Sequence, residues 1–177
     1  APSANTSTSL SSTEAKHVYE YFKKDKNLSI ILDDGSAKIG LESTILQIDN
    51  NEIHILRHGG ISTEKIKENF PNKKINDEQK KYKKIIAPGM LAKHYSPTVP
   101  LRINAKKAKK NELLIGFGPN YDSPNLSSKG DLTEAASNLF SFLAKYQKNY
   151  TKIAIAPIPN IGIGRAINDR IKRASKD

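Results

Sequence analysis

The hydrophobic pattern predicts an α/β protein, and three observations lead there. From residue 101 onward, an apolar run at 113–117 precedes a helical pattern at 131–146, then an apolar run at 153–156 and a helical pattern from about 165 to 174. That alternation is the signature of parallel βαβ units. Nearer the front, two strand-like runs flank Asp49-Asn50-Asn51, a hairpin turn. The chain has 177 residues, enough for one ordinary domain or two small ones with a real core. No window approaches the roughly 18 uninterrupted apolar residues that a membrane-spanning helix needs.

Each element has its own local reason. Residues 1–12 are small and polar, a loop, and Ser11 followed three positions later by Glu14 has capping-box spacing. A helix is expected there, with Val18, Tyr21 and Phe22 on its apolar face. Residues 28–32 form a short apolar run ended by Asp33-Asp34-Gly35, and residues 40–48 alternate Leu41, Ser43, Ile45 and Gln47 with Glu42, Thr44, Leu46 and Ile48. Both read as strands. Residues 53–56 return as the hairpin partner and end at Arg57-His58-Gly59-Gly60, after which Ser62 caps a short helix containing Ile66 and Phe70. Residues 71–84 are polar and lysine-rich, the composition of an exposed linker, so a boundary is expected there. Residues 87–97 are extended and punctuated by Pro, yet too apolar and aromatic for a plain tether. Asp131 with Glu134 is a second capping box, and Leu132, Ala135, Leu139, Phe142, Leu143 and Tyr146 give that helix its buried face. No internal repeat is visible.

Composition narrows the chemistry. Lys plus Arg number 29 and Asp plus Glu 18, a net charge of +11, which attracts polyanions and phosphate-bearing ligands. Much of the excess lies in lysine pairs, whose usual reading is a solvated face. There is no Cys, which excludes disulfide scaffolds, thiolate zinc sites and cysteine nucleophiles and fits a reducing, cytoplasmic setting. No leader pattern precedes the first element, and the chain opens at Ala1 with Met90 as its one methionine, so no secretory signal is expected, and processing or a fragment is. His17, His54, His58 and His94 show no dense metal-ligand spacing, so no metal site is assigned. Gly162-Ile163-Gly164-Arg165-Ala166 lacks the third glycine of a dinucleotide loop and reads as a tight strand-to-helix turn.

Three places could carry ligand chemistry. The opening loop offers backbone N–H groups, the Ser3 hydroxyl and the Asn5 amide before a helix N-terminus, which suits a phosphate, although the same residues are simply good turn and cap formers. Ser43 and Thr44 point to opposite faces of one strand, so only one can meet a ligand. Arg57 can clamp a phosphate or carboxylate through its planar fork, but an arginine at a strand end is more often a surface ion-pair partner.

Read in order, Ala1-Pro2-Ser3-Ala4-Asn5, Ser11-x-Thr13-x-Ala15-x-His17-Val18, Ile31-Leu32-Asp33-x-Gly35, Gly40-Leu41-Glu42-Ser43-Thr44-Ile45 and Leu56-Arg57-x-Gly59 resemble the second half of a YrdC-type catalytic domain. Ala87-Pro88-Gly89-Met90-x-x-Lys93-His94-Tyr95-x-Pro97 resembles the linker of two-domain threonylcarbamoyl-AMP synthases. Gly162-x-Gly164-x-Ala166-x-x-x-Arg170-x-x-Arg173-Ala174 is similar to the end of that family's small C-terminal domain.

The resemblance implies three parts: residues 1–62 as a partial YrdC-like twisted-sheet catalytic domain, 63–100 as a linker folding over the active site, and 101–177 as a Rossmann-like C-terminal domain. It implies synthesis of L-threonylcarbamoyl-AMP from L-threonine, bicarbonate and ATP, with release of pyrophosphate. The product is passed to tRNA-modifying proteins that make threonylcarbamoyladenosine. By the same resemblance Ser3, Asn5, Thr13, Arg57, His94 and Tyr95 match ATP-site positions and Ser43 a threonine-binding one. Mg2+ is expected with ATP at no identified site, no residue is assigned a covalent catalytic role, and no membrane is involved. Thr8 stands where the family usually has Gly, Ser12 where it has Pro, and His58 where it has Pro. The family's N-terminal half has no counterpart here, so the chain alone is expected to have little or no activity: either a separate N-terminal fragment completes it, or the rest was lost and this is a truncated or decaying product. The alternative is a non-catalytic basic module that binds tRNA or another polyanion through Lys73, Lys74, Lys80 and Lys81.

Overall fold

The computed structural model describes residues 4–77, 95–122 and 124–176. Among them, two three-stranded sheets and four helices form an α/β architecture, as the pattern predicted. No helix among the described residues is long and apolar enough to cross a membrane.

Helix α1 (Ala15–Phe22) starts later than the capping box at Ser11 implied, because distant partners take both of its side chains. The Glu14 carboxylate accepts from Ser141 Oγ–H at 2.6 Å and pairs with Lys16 Nζ at 2.6 Å, while Ser11 donates to Glu42. Residues 28–32 form no ladder, and Ile30 and Leu32 are 74% and 93% exposed. β-Branched apolar residues favour a strand only where a partner edge and a covering face exist, and no described segment supplies them.

β1 (Ile45–Asp49) and β2 (Glu52–Arg57) form the expected antiparallel hairpin, with Asp49 opposite Glu52 and Asn50 at φ +40°. β1 begins at Ile45 rather than Gly40, because residues 42–44 bend across Gly59 so closely that a Cβ there would overlap Glu42 O, Ser43 C and Thr44 N. Thr44 Oγ1 fixes that bend, donating to Ile61 O at 2.6 Å and accepting from Ile61 N–H at 3.1 Å. Ser62 caps α2 (Thr63–Asn69) as expected, accepting from Lys65 N–H at 3.2 Å. β3 (Lys74–Asn76) then pairs parallel to β2 inside the lysine-rich stretch read as linker. It escaped the composition because only Ile75 faces the core, while Lys74 and Asn76 both bond to Glu52, at 2.8 and 2.9 Å. The core of this lobe is small: Ile53, Ile55 and Ile66, with Leu46 and Ile75 against them.

The second sheet is parallel throughout, in the order β4-β6-β5. It comprises β4 (Leu101–Arg102), β5 (Leu113–Ile115) and β6 (Ile153–Ile155), with α3 (Leu132–Tyr146) between β5 and β6 and α4 (Gly164–Ala174) after them. Asp131 caps α3 by accepting from Thr133 N–H and Glu134 N–H at 2.7 and 2.8 Å. Glu134 closes the box through a relay: it accepts from Ser127 Oγ–H at 2.5 Å, and Ser127 Oγ accepts from Asp131 N–H at 2.9 Å. Leu139, Phe140 and Leu143 of α3 pack on Ile115, Ile153 and Ile155 and on Ile167 and Ile171 of α4; Phe140 rather than Phe142 is fully buried. The turn before α4 is the tight one expected, with a Cβ at Gly164 overlapping Pro159 O.

The lobes share this larger core. Leu10 and Tyr95 are buried in it, Leu41 packs on it, and Gly40, at φ +69°, lies against α3 where a Cβ would sit 2.7 Å from Ala136 O.

Candidate functional site

Strand parity puts Arg57 inside. Along β2 the buried positions are Ile53, Ile55 and Arg57, so a guanidinium ends the apolar face and must find acceptors there. Its Nε–H and Nη2–H donate to Ser43 O at 3.1 and 2.9 Å, and Nη2 lies 3.3 Å from Ser43 Oγ. Ser43 is within reach because residues 42–44 cross Gly59, two positions beyond Arg57. Two residues fourteen apart in sequence thereby form one polar pair, with the arginine inside rather than on the surface.

Next to that pair lies a buried charge cluster that the sequence reading did not assign. Arg170 of α4 is wholly buried. Its Nε–H donates to Glu42 Oε2 at 2.7 Å, Nη1–H to Asp169 Oδ2 at 2.7 Å and Nη2–H to His58 O at 2.9 Å. The guanidinium carbon lies 4.9 Å from the Tyr95 ring centroid, a cation–π stack, and Phe140 packs on the same tyrosine at 5.8 Å. The other Glu42 oxygen accepts from Ser11 Oγ–H. Burial by itself raises the Glu42 pKa, but the Arg170 charge and the Ser11 and Arg170 hydrogen bonds outweigh it and hold the carboxyl below its ordinary value. Burial pushes the Tyr95 hydroxyl up, with Arg170 and Arg57 pulling against it and Glu42 adding to it. Burial pulls the His58 imidazole down against Asp77, whose Oδ1 is 3.0 Å from Nε2. Glu42 and Arg170 both stand inside the motifs that carry the resemblance; position in a motif was the available signal, since neither residue type announces a site alone.

The remaining expectations distribute differently. Asn5 Nδ2–H donates to Ser9 O at 3.2 Å, and its Oδ1 is buried with no hydrogen-bond partner among the described residues. Thr13 is buried, its N–H donating to His17 Nδ1 at 3.3 Å, and it lines a cleft of about 600 Å³ between the opening segment and residues 31–41. Leu41 also lines that cleft, whereas Ser43 and Arg57 do not. Tyr95, at φ +62°, stacks on Arg170, which holds Glu42 beside Ser43, and the Arg57 charge acts on its hydroxyl. Ser3 and His94 lie outside the described residues. No three carboxylates or imidazoles converge among the described residues. Of the lysines named for polyanion binding, Lys73 donates to Asn50 O at 2.6 Å and Lys74 pairs with Glu52 at 2.8 Å, while Lys80 and Lys81 lie outside the described residues.

Comparison with known proteins covers both lobes. A family model described as "Threonylcarbamoyl-AMP synthase, C-terminal domain" matches residues 61–176, and one described as "Telomere recombination" matches residues 1–59. Threonylcarbamoyl-AMP synthase of Bacillus subtilis is 31% identical over 199 residues, covering 99% of this chain and 56% of that protein. The Pyrococcus abyssi protein of the same name is 30% identical over 198 residues, covering 99% and 57%. The chain thus spans a little over half the length of the relatives it matches. The crystal structure of P. abyssi Sua5 complexed with L-threonine superposes with a TM-score of 0.81 at 28% identity, over 98% of this chain and 56% of that one. A variant of that protein with a neighbouring histidine and tyrosine changed to alanine gives a TM-score of 0.79. The chain belongs to the threonylcarbamoyl-AMP synthase family.

Proposed function

We propose that this chain is the C-terminal portion of an L-threonylcarbamoyladenylate synthase, binding ATP and L-threonine around the Ser43–Arg57 pair. One observation carries the reading: Ser43 and the buried Arg57 bond at 2.9 Å in a fold that superposes at a TM-score of 0.81 on a relative solved with L-threonine. The threonine amine forms an N–C bond with bicarbonate carbon, giving a carbamate as water leaves; the carbamate oxygen then forms a bond to the α-phosphorus of ATP, and the bond from that phosphorus to pyrophosphate breaks. Such a reaction needs placement and charge stabilisation more than covalent help from the protein. Arg57 stabilises phosphate charge, Ser43 receives threonine, and Asn5 offers its unpartnered Oδ1 to a donor on the ligand. Thr13 contacts the nucleotide from the adjoining cleft, with Ser3 completing the Ser-x-Asn element. His94 and Tyr95 form the chain's one adjacent histidine–tyrosine pair, matching the residue types changed in the solved variant. They close over the labile product and keep water from it. Mg2+ enters with ATP as part of the substrate. The product goes on to tRNA-modifying proteins in the cytoplasm, a setting that suits a chain without cysteine.

The relatives' additional length completes the site on this reading. The test mixes this chain with a separately produced N-terminal portion of a relative, plus ATP, L-threonine, bicarbonate and Mg2+, and follows pyrophosphate. The chain alone should be silent, the mixture active, and the mixture with Arg57→Ala silent. Enzyme-like turnover by the chain alone refutes the need for a partner, and a silent mixture refutes the synthase reading.

A further inference from the structure

We propose that Arg170 is a positioning residue, coupling the C-terminal lobe to the Ser43–Arg57 pair by gripping the residue adjacent to each. Its role in ligand binding rests on the synthase reading above; the mechanical coupling does not.

The grip follows from the shape of the side chain. A guanidinium offers five in-plane N–H donors on three nitrogens and a flat face for stacking, and Arg170 bonds through each nitrogen and stacks through its face. Nε–H holds the Glu42 carboxylate, adjacent to Ser43, and Nη2–H holds the His58 carbonyl, adjacent to Arg57. Nη1–H is anchored on Asp169 of its own helix, and the face rests on Tyr95. The bonds to Glu42 and His58 span 128 and 112 residues, so α4 determines how two segments of the other lobe sit against each other. Asp169 is itself held by Arg173 Nε–H at 3.0 Å, one turn along α4, which fixes the anchor. Lysine cannot substitute, because an ammonium is a point donor without the planar fork or the stacking face.

The reporters are two amides that close residues 42–44 against 60–61: Gly60 N–H, bonded to Glu42 O at 3.2 Å, and Ile61 N–H, bonded to Thr44 Oγ1 at 3.1 Å. The control amides lie in the C-terminal lobe: Leu126 N–H, bonded to Gly116 O at 2.9 Å, and Ala156 N–H, bonded to Ile115 O at 2.9 Å. In the 177-residue chain, Arg170→Lys should speed hydrogen exchange at Gly60 and Ile61 by about ten- to a hundredfold, the range for losing hydrogen bonds to a charged group. Leu126 and Ala156 should keep their rates. Glu42→Ala removes the acceptor from the opposite side and serves if the Arg170 variant fails to fold. Arg102→Lys, at the separate Arg102–Glu112 pair, should leave Gly60 and Ile61 unmoved. Unchanged Gly60 and Ile61 rates, or all four amides quickening together, overturn the coupling. In the completed enzyme, Arg170→Lys should raise the KM for threonine and ATP by about tenfold or more with a smaller change in kcat. Faster exchange with unchanged KM would refute the ligand role. A silent wild-type mixture would sink the synthase reading, while exchange still decides the coupling.

Discussion

Thr8 occupies φ +68° on an exposed turn of the opening loop. The left-handed region costs an L residue about 1–2 kcal/mol, the more so when it is β-branched. Contacts on either side keep the turn there: Ser9 N–H donates to Thr6 O at 3.2 Å, and Ser96 N–H donates to Thr8 O at 3.1 Å. Glycine removes the strain, while its greater freedom in the unfolded chain returns about 0.4–1 kcal/mol. The exposed side chain contributes little packing to lose, so Thr8→Gly should stabilise by about 0.5–1 kcal/mol. For a chain of this length that is about 1–4 °C in Tm. Calorimetry at neutral pH, with Thr8→Ala beside it, checks this: alanine retains the Cβ and should give little of the gain. A Thr8→Gly protein no more stable than wild type, or an alanine variant equal to it, would refute the strain assignment. This is also where the family resemblance calls for glycine, so the same measurement tests that alignment.

Two further outcomes are expected. Asp131→Ala removes a cap accepting from two amides at 2.7 and 2.8 Å and should cost about 1 kcal/mol, read as a lower urea midpoint, with Asp131→Asn costing less. Stability should also fall with acid in two stages. Burial holds His17 and His58 below the ordinary 6.5, so the unfolded chain takes up protons first; stability is full above about pH 6.5 and declines below it. Protonating His17 Nδ1 also breaks its bond from Thr13 N–H. Glu42, held below 4.5, adds a second loss below about pH 4.5. Urea midpoints at about pH 7.5, 5.5 and 4 should decrease in that order; a flat profile between the first two refutes the histidine assignment.

How far the chain could be read from sequence depends on where each element finds its partners. The C-terminal lobe was legible because helix and strand alternate and its caps and apolar faces are local: Asp131, Leu139 and Leu143 behave as their spacing demands. The first lobe was less so, because its decisive contacts are remote. Ser11 and Glu14 look like a helix cap until Glu42 and Ser141 take their side chains. Residues 28–32 have strand composition without a partner among the described residues, and β3 has a partner without strand composition. At the candidate site, Ser43 and Arg57 were named and are found together, whereas Glu42 and Arg170 were given no role, since a pair 128 residues apart leaves no periodic trace.

The asymmetry of the two cores explains why one arginine matters so much. The first lobe buries Ile53, Ile55 and Ile66 while Ile30, Leu32, Ile39, Ile48 and Ile61 remain exposed. Each fully buried aliphatic side chain contributes about 1.5–3 kcal/mol, and ordering each residue costs about 1–2 kcal/mol, so three isoleucines cannot hold this sheet and its loops alone. Among the described residues, its further support is what it shares with the C-terminal lobe, including Leu10 and Leu41 in the larger core, the approach of Gly40 to α3, and the Arg170 contacts to Glu42 and His58. On the proposed reading, ligand affinity and lobe cohesion depend on the same contacts, because the residues flanking Ser43 and Arg57 are among those by which the lobes hold together.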